Sequence, residues 1–160
     1  MAVVDEQQFK QVMGSFAASV TVLTTRDAAN NPAGMTATAF TSVSLLPPLC
    51  LVCVALDASC LPILQSEGVL AVNMLRADQE ALSNRFASPV EDRFAGIAHR
   101  PGPATGCPLL EGAMATLEGK IQERMRAGDH EILLVEVVAV EIDEAAQPLV
   151  YHRGRYGTLA

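Results

Sequence analysis

The second half of the sequence constrains the fold most, because three predicted strands follow one another there without a helix between them. Runs of β-branched and other apolar residues predict strands over residues 115–123, 132–142 and 149–151. A doubly wound sheet requires a long helix after each strand, so this succession argues against that architecture. The pattern instead predicts a mainly β chain with short helices, folded as a mixed barrel.

The first half of the sequence predicts shorter elements of both kinds. Helical spacing of apolar residues behind Asp5 predicts a helix over residues 6–17. Ser59 and Asp78 are each placed to cap a further short helix. The remaining strands in this half are predicted over residues 20–25, 35–45, 49–56 and 69–75, whereas the Pro- and Gly-rich residues 87–108 are predicted to be irregular.

Composition and charge limit the kinds of partner. The chain is 50% hydrophobic, and no repeat or linker divides it, so we predict one domain over residues 1–160. Its net charge is -7 and its 11 Lys and Arg residues are scattered, which argues against binding of nucleic acid. The longest apolar run, residues 49–56, is too short to span a bilayer, and no signal peptide is visible. We therefore predict no membrane contact and a cytoplasmic location.

The cysteines and histidines form no recognisable metal or nucleophile motif. Cys50 and Cys53 have CxxC spacing, but residues three apart on a strand point to opposite faces. We therefore favour separate core thiols over a shared metal or disulfide, and all four cysteines are expected to be free. The three histidines are widely spaced in the sequence, and no metal site is predicted.

Three segments each allow a structural and a functional interpretation. The small residues over 36–44 fit a half-exposed strand, or a surface where a flat ring approaches the backbone. His130 precedes a strand and is either an exposed turn residue or a functional one. The C-terminal segment YHRGRYG is either a solvated end or a clamp that holds a nucleotide by stacking and charge.

Six segments together resemble the short-chain flavin reductase family, the reductase components of flavin-dependent monooxygenases. In chain order they are FKQVMGSFAASVTVLTT, GMTATAFTSVSLLPPL, SNRFASPVEDRFAG, GCPLLEGAMATLEG, AGDHEILLVEVVAV and PLVYHRGRYGTL. Each segment alone is a weak signal, but six in the family's order over nearly the whole chain are specific. The resemblance implies a split β-barrel of the flavin reductase or FMN-binding type, usually assembled as a homodimer.

The resemblance also implies which residues bind the cofactors. The flavin, FMN or FAD, is expected to have its phosphate at Ser59 and Cys60, with Arg85 and Phe86 closing part of the site. Along two strands the flavin is expected to meet Thr36, Ala37, Thr38, Ala39, Phe40, Ser42, Cys53, Val54 and Ala55. The co-substrate, NADH or NADPH, is expected to contact the catalytic residue His130 and the C-terminal residues His152, Arg153, Gly154 and Tyr156.

Two positions depart from the family's pattern. Members often carry Arg, Ser or Thr at the phosphate turn, whereas this chain has Cys60, a weaker hydrogen-bond donor. This difference leaves the choice of flavin open. Ser19 stands where Gly is usual before the first strand, and we expect this change to affect only packing.

The function implied is an NAD(P)H-dependent flavin reductase that transfers hydride from nicotinamide C4 to flavin N5. Its reduced flavin would supply a partner monooxygenase. The alternative is a flavin-binding electron carrier without a nicotinamide site, against which His130 and the C-terminal segment argue. An oxidase of the related pyridoxamine-phosphate type would need more phosphate-binding Arg and Lys than this chain has.

Overall fold

Short helices and many strands make up the computed structural model, which describes residues 3–160. Met1 and Ala2, which the predicted domain includes, lie outside the described residues. The helices are α1 (Glu6–Met13), α2 (Leu61–Glu67) and α3 (Glu80–Ala87). The strands are β1 (Ala18–Ser19), β2 (Thr21–Arg26), β3 (Pro32–Ala37), β4 (Phe40–Ser44), β5 (Leu49–Ala55), β6 (Val69–Met74), β7 (His99–Pro101), β8 (Pro108–Leu110), β9 (Ala115–Ala127), β10 (His130–Ile142), β11 (Val150–His152) and β12 (Arg155–Gly157).

Seven strands form one antiparallel sheet in the order β3-β2-β6-β9-β10-β5-β4, so β3 and β4 lie at its edges. Only Thr38 and Ala39 connect these two edge strands. Since a link of this length spans at most about 11 Å between the strand ends, the sheet must curl until its edges meet. The Cys53 N–H donates to the Ala39 carbonyl across the junction at 3.0 Å. The prediction of a mainly β chain with short helices is confirmed.

The predicted strand over residues 35–45 is wrong in one respect, because the structure divides it into β3 and β4. The chain pairs with β2 before Thr38 and Ala39, and with β5 after them. Thr36 before this crossing, and Phe40 and Thr41 after it, favour extended backbone. Neither Gly nor Pro marks it in the sequence. The residue pattern is therefore continuous where the pairing partner changes.

The interior of the curled sheet holds the main hydrophobic core. Alternate residues of β5 point inward, so Cys50 and Val54 are buried whereas Cys53 is only partly buried. The two cysteines thus lie on opposite faces, as predicted, and all four cysteines are free. Leu61 and Leu64 of α2 pack into the same core. Burying side chains of this size contributes about 1.5–3 kcal/mol each.

A second core lies on the other face of β2, beneath α3. Val22 points into this cluster, whereas Leu23, the next residue, points into the main core. Phe86 of α3 is fully buried there and meets the ring of Phe94 edge-on, with centroids 4.9 Å apart. Tyr156 of β12 packs against the same cluster. These contacts hold α3 and the C-terminal strands on the outside of the sheet.

The helices differ from the prediction at their ends. α1 stops before residue 17, and the N-caps of α2 and α3 are Cys60 and Gln79 rather than Ser59 and Asp78. Asp78 does not cap α3 because its carboxylate accepts two hydrogen bonds from Arg76, at 2.7 and 3.1 Å. Within residues 3–160, no helix is both long and apolar enough to cross a membrane.

The predicted irregular segment over residues 87–108 contains more structure than expected. β7 and the following β8 pair as a short antiparallel hairpin. The loop between them is anchored by Glu118 of β9, whose buried carboxylate accepts hydrogen bonds from the N–H groups of Ala104 and Thr105 and from the Thr105 hydroxyl. A segment rich in Pro and Gly is thus fixed by one buried side chain from a distant strand.

Candidate functional site

The crossing from β3 to β4, here called the junction (Thr38 and Ala39), exposes a short stretch of backbone. Both residues are exposed and lie outside the strands. Their N–H groups have no hydrogen-bond partner within residues 3–160. Two free donors beside small side chains form a surface that a flat ring with polar edges can approach.

The residues that flank the junction are fixed by contacts within the protein. The Thr36 hydroxyl donates to the Ser83 carbonyl of α3 at 2.6 Å. The Ala37 carbonyl accepts a hydrogen bond from the Thr21 hydroxyl, also at 2.6 Å. The side chain of Phe40 packs against the main core. These three flanking residues position the junction and leave its own side chains exposed.

β5 runs beside the junction and presents alternate residues to the outside. Cys53 and Ala55 are partly exposed, whereas Val54 is fully buried, so only its backbone could meet a ligand. Burial raises the pKa of the Cys53 thiol, so this side chain is uncharged at neutral pH. Ser42 of β4 is exposed and pairs with Cys50, farther along β5 from the junction.

His130 begins β10 directly opposite Ala55 of β5. Because opposite residues in an antiparallel pair point to the same face, the two share the outer face of the sheet. His130 Nδ1 lies 2.7 Å from Asp129 Oδ1, and this hydrogen bond with the imidazole lowers the pKa of Asp129. The pair orients the ring, and Nε2 has no hydrogen-bond partner within residues 3–160.

The predicted phosphate turn has one exposed and one buried residue. The Ser59 side chain is exposed and has no hydrogen-bond partner in the described part of the chain. Cys60 is 1% exposed, and burial raises the pKa of its thiol to about 11, against the opposing charge of Arg93. The Cys60 thiol is therefore neutral and packed in the core, so only its backbone could contact a phosphate.

The side chains of Arg85 and Phe86 contact a neighbouring loop and the core rather than lining an open surface. The Arg85 guanidinium donates to the carbonyls of Asp92, Arg93 and Ala95 at 2.7–3.0 Å. The ring of Phe86 is fully buried. Their side chains thus hold the loop over residues 92–95 against α3, and any part they take in a site is exerted through that loop.

β11 and β12 form a tight C-terminal hairpin. Arg153 and Gly154 at its turn both have positive φ, of 49° and 75°, the combination that a type I′ turn requires. The Tyr156 hydroxyl lies 2.8 Å from Ser83 Oγ and donates to Asn84 Oδ1 at 3.0 Å. The hydroxyl therefore ties the hairpin to α3, the helix that also binds Thr36.

A cleft of about 650 Å³ lies along this hairpin, and its lining includes Ala17, His152, Arg153, Arg155 and Tyr156. Neither arginine forms an ion pair within residues 3–160. Unpaired guanidinium groups in a chain with a net charge of -7 make this cleft a local site of attraction for anions.

Comparison with known families decides the identity of the chain. Residues 13–160 match the family model described as flavin reductase like domain. The chain belongs to the flavin reductase-like family. The resemblance inferred from the six sequence segments is thus confirmed.

Similar proteins agree with this assignment. The "Probable flavin reductase" of Rhizobium meliloti (strain 1021) is 44% identical over 156 residues, which cover 98% of this chain but only 50% of that protein, so the chain spans half its length. The solved NADH:FAD oxidoreductase of Streptomyces globisporus C-1027, in complex with NAD and FAD fragments, is 37% identical with a TM-score of 0.92, covering 100% of this chain and 98% of its own. The solved structure of nitrilotriacetate monooxygenase component B from Mycobacterium thermoresistibile is 31% identical with a TM-score of 0.92, and the match covers 98% of this chain and 87% of that protein. The predicted fold type is confirmed by these solved structures.

For this member of the family, the structure brings some of the predicted site residues together. The Ala39 carbonyl accepts a hydrogen bond from the Cys53 N–H, and Ala55 lies opposite His130. These four residues and Thr38 form one continuous outer surface, here called the junction face. The C-terminal residues instead lie against α3, and Ser83 of that helix links Tyr156 to β3 through hydrogen bonds with Tyr156 and Thr36.

Several residues at the site are not among those predicted from the sequence. Ser83, Asn84 and Asp129 position Tyr156 and His130, and Arg93 enters a cleft beside Ser59. Only Asp129 could have been inferred, because it directly precedes His130. The described residues include no group of three or more His, Cys, Asp and Glu placed to hold a metal ion.

Proposed function

We propose that this chain is a flavin reductase that uses NADH or NADPH to reduce FMN or FAD. The observation that carries the proposal is the junction face, where exposed backbone donors, small side chains and an oriented histidine meet. The family and the solved NADH:FAD oxidoreductase, which is 37% identical, support the same activity.

The residues of the junction face fit a flavin ring. The side chains of Ala39, which is exposed, and of Cys53 and Ala55, which are partly exposed, are small and uncharged, so they allow a flat ring to lie close to the backbone. The free N–H groups of the junction can donate to the polar edge of that ring. Donors fixed in advance stabilise negative charge without reorganisation, which favours the reduced ring.

His130 is proposed to contact the nicotinamide. The chemistry that a bound flavin supplies is acceptance of hydride at N5 from nicotinamide C4. His130 shares the outer face with Ala55, and its hydrogen bond to Asp129 directs the ring while leaving Nε2 available. The histidine would therefore position the donor ring over the junction face, where proximity and orientation accelerate transfer.

The C-terminal hairpin is proposed to bind the phosphates of the nicotinamide cofactor. Arg153 and Arg155 line the cleft there without acidic partners. A planar guanidinium binds phosphate oxygens through two parallel hydrogen bonds. Tyr156 would act as a positioning residue, since its hydroxyl is already bonded to Ser83 and Asn84.

Reduced flavin is proposed to leave for a partner monooxygenase. The name of the Mycobacterium thermoresistibile relative, a monooxygenase component, supports a two-component system. The junction face is open to solvent on this chain, which suits a product that must dissociate. The chain's few aromatic residues, 4% of the total, offer little stacking to retain the ring.

The working unit is proposed to be a homodimer. The accessible surface is 9451 Å², whereas a compact monomer of 16.9 kDa is expected to expose about 7,700 Å². Large apolar side chains contribute to this surface: Phe16, Leu45 and Leu46 are 74%, 84% and 88% exposed, and Val140 and Ile142 of β10 are exposed as well. Exposed apolar surface favours association, and a twofold pair is the commonest assembly of identical chains.

Steady-state oxidation of NADH and NADPH, with FMN, FAD and riboflavin supplied in turn, tests the activity. We expect loss of nicotinamide absorbance that depends on flavin. Flavin binding without any such oxidation would favour the electron carrier instead, and absence of both would overturn the proposal. His130→Gln, which keeps a polar side chain of similar size, serves as the variant that separates nicotinamide contact from folding.

A further inference from the structure

A cleft on the outer face of the sheet lies at the end of β10 that is farthest from His130. Its volume is about 470 Å³, and small-molecule sites usually measure about 300–1,000 Å³. Ile142, the last residue of β10, lines the cleft, whereas His130 is the first residue of that strand. A strand of this length spans up to about 40 Å. The cleft, here called the distal cleft, is therefore separate from the junction face.

Apolar side chains form part of the lining of the distal cleft. Leu109 and Leu110 of β8 are each 3% exposed, and both line the cleft together with Met114 and Ile142. A ligand with an apolar body would cover these side chains and be removed from water with them, which favours binding.

Thr116 of β9 places a hydroxyl without a partner in the distal cleft. The next residue, Leu117, points into the main core, so Thr116 points to the outer face. Thr116 is 9% exposed, and its hydroxyl has no hydrogen-bond partner in the described part of the chain. No fully buried side-chain N or O atom among residues 3–160 lacks a partner, so this hydroxyl must be reachable from the cleft that Thr116 lines. It is therefore available to a ligand.

The charges around the distal cleft leave two carboxylates without a cation. Arg100 lines the cleft and forms an ion pair with Glu141. Arg76 lies beside the cleft at Gly112, but its guanidinium binds a carboxylate outside the cleft at 2.7 Å. Neither of the other two acidic residues that line the cleft, at positions 111 and 143, forms an ion pair within residues 3–160. The lining thus has three carboxylates against one guanidinium, and it attracts cations.

The arrangement of these groups suits an organic cation better than a metal ion. A bound metal ion requires several ligand atoms at about 2.0–2.6 Å. The described residues include no group of three or more His, Cys, Asp and Glu placed to hold a metal ion. A protonated amine needs only acceptors nearby, and the apolar lining accommodates the rest of such a molecule.

We propose that the distal cleft is a second ligand site of this chain, for a small organic amine with an apolar body and a hydroxyl group. The carboxylates of Glu111 and Asp143 attract the ammonium group, and the hydroxyl of the ligand bonds to Thr116. The apolar body covers Leu109 and Leu110. This site goes beyond the proposed function, because it binds neither flavin nor nicotinamide and leaves the junction face open.

Three probes of similar shape test the assignment by isothermal titration calorimetry of the full chain. Tyramine has an ammonium group, a ring and a hydroxyl, phenethylamine lacks the hydroxyl, and tyrosol has a neutral group in place of the ammonium. Tyramine should bind most tightly. Tyrosol should bind at least about 10-fold more weakly, as loss of a charge-assisted hydrogen bond predicts, and phenethylamine about 3–10-fold more weakly. No saturable binding of tyramine up to about 10 mM, the affinity expected even of an inefficient ligand of its size, would overturn the proposal.

Variants identify the groups that meet the probe. Thr116→Val keeps the shape of the side chain but removes its hydroxyl. It should weaken tyramine binding about 3–10-fold and change phenethylamine binding by less than about 2-fold, because only tyramine loses a hydrogen bond. Glu111→Gln should weaken binding of both amines about 3–10-fold and leave tyrosol unchanged. Glu136→Gln is the matched control, since Glu136 lies on β10 outside the cleft, and it should bind all three probes as the wild type does.

The remaining outcomes separate this site from the flavin surface. If Thr116→Val does not fold, as far-UV circular dichroism would reveal, the exposed Glu111 still provides the test. Equal binding of tyramine and tyrosol, or equal losses for both amines in Thr116→Val, would overturn the assignment. Saturating FMN should change tyramine affinity by less than about 2-fold, and displacement of tyramine by FMN would refute a separate site. A chain that reduces flavin with NADH but binds no tyramine would refute this inference while the proposed function stands.

Discussion

Removing the hydroxyl of Tyr156 should loosen the C-terminal hairpin from α3. Tyr156→Phe keeps the ring, which packs against the second core, but deletes both hydrogen bonds to the helix. Since the hydroxyl proton goes to Asn84 Oδ1, the bond to Ser83 must use the Ser83 proton. The variant therefore leaves a donor without its partner.

The expected loss of stability follows from the burial of Ser83. Its side chain is fully buried, and Tyr156 is the hydrogen-bond partner of its hydroxyl. Leaving a buried donor unsatisfied costs about 1–3 kcal/mol, whereas the exposed bond to Asn84 adds little. For a domain of 160 residues, this corresponds to a decrease in Tm of roughly 3–10 °C.

Thermal unfolding at one protein concentration measures this effect, and Tyr151→Phe is the matched control. Tyr151 lies 5.2 Å from Tyr156 between ring centroids, but its hydroxyl forms no hydrogen bond within residues 3–160. The control should unfold within about 1 °C of the wild type, since surface changes without lost contacts are nearly neutral. Ser83→Ala combined with Tyr156→Phe should recover part of the loss, because no unpaired hydroxyl remains. Equal Tm values for Tyr156→Phe and Tyr151→Phe would refute the argument.

Four other expectations concern the site and the assembly. Ala39→Leu should weaken flavin binding about 10-fold or more without unfolding, because its side chain is exposed and bulk there blocks close approach; an unchanged dissociation constant would place the ring elsewhere. His130→Gln should raise KM for NADH and leave flavin affinity unchanged, and unaltered nicotinamide kinetics would make it an ordinary turn residue. Light scattering should give a mass near twice 16.9 kDa, and an active monomer would refute the proposed dimer. Since burial raises the pKa of Cys50 and of Cys60 to about 11, both should stay protonated at about pH 8 and react with a thiol reagent far more slowly than in urea; rapid labelling of the native protein would contradict their burial.

The long strands could be predicted from the sequence because local pattern and pairing agree in them. β6 and β10 are rich in Val and Leu, and β9 carries the β-branched residues Thr116 and Ile121; the sequence predicts all three, although β9 extends past residue 123. The extension itself has a physical cause. Residues after Ile121 no longer pair with β6 and pair only with β10. They are mostly exposed and polar, so they lack the apolar pattern that predicts a strand.

The helix caps and the crossing could not be predicted, because contacts that the local residue pattern does not show decide where each element begins or ends. Asp78 has the right residue type for a cap, but Arg76 takes its carboxylate. Ser59 also has the right residue type for a cap, but the helix begins one residue later, so that Cys60, which is buried and makes no capping hydrogen bond, occupies the cap position. Propensity describes what a residue can do locally, and tertiary contacts decide which option is used.

The candidate site was predictable as a set of segments but not as a set of side-chain roles. Resemblance placed Arg85 and Phe86 at the flavin, yet their side chains serve the loop over residues 92–95. That loop carries Arg93 into the cleft beside Ser59. Arg93 lies eight positions farther along the chain than Arg85, and only the folded loop brings it beside Ser59.

The location of the junction face follows from the topology of the sheet. A curled sheet whose edge strands are joined by only two residues cannot continue both ladders through the link, so Thr38 and Ala39 leave their N–H groups unpaired. Unpaired backbone donors are costly when buried, and they must therefore meet water or a ligand. Unpaired edges also invite other strands, and small exposed side chains at a crossing leave room for a ring instead. The same two residues that close the fold are thus the ones proposed to meet the flavin.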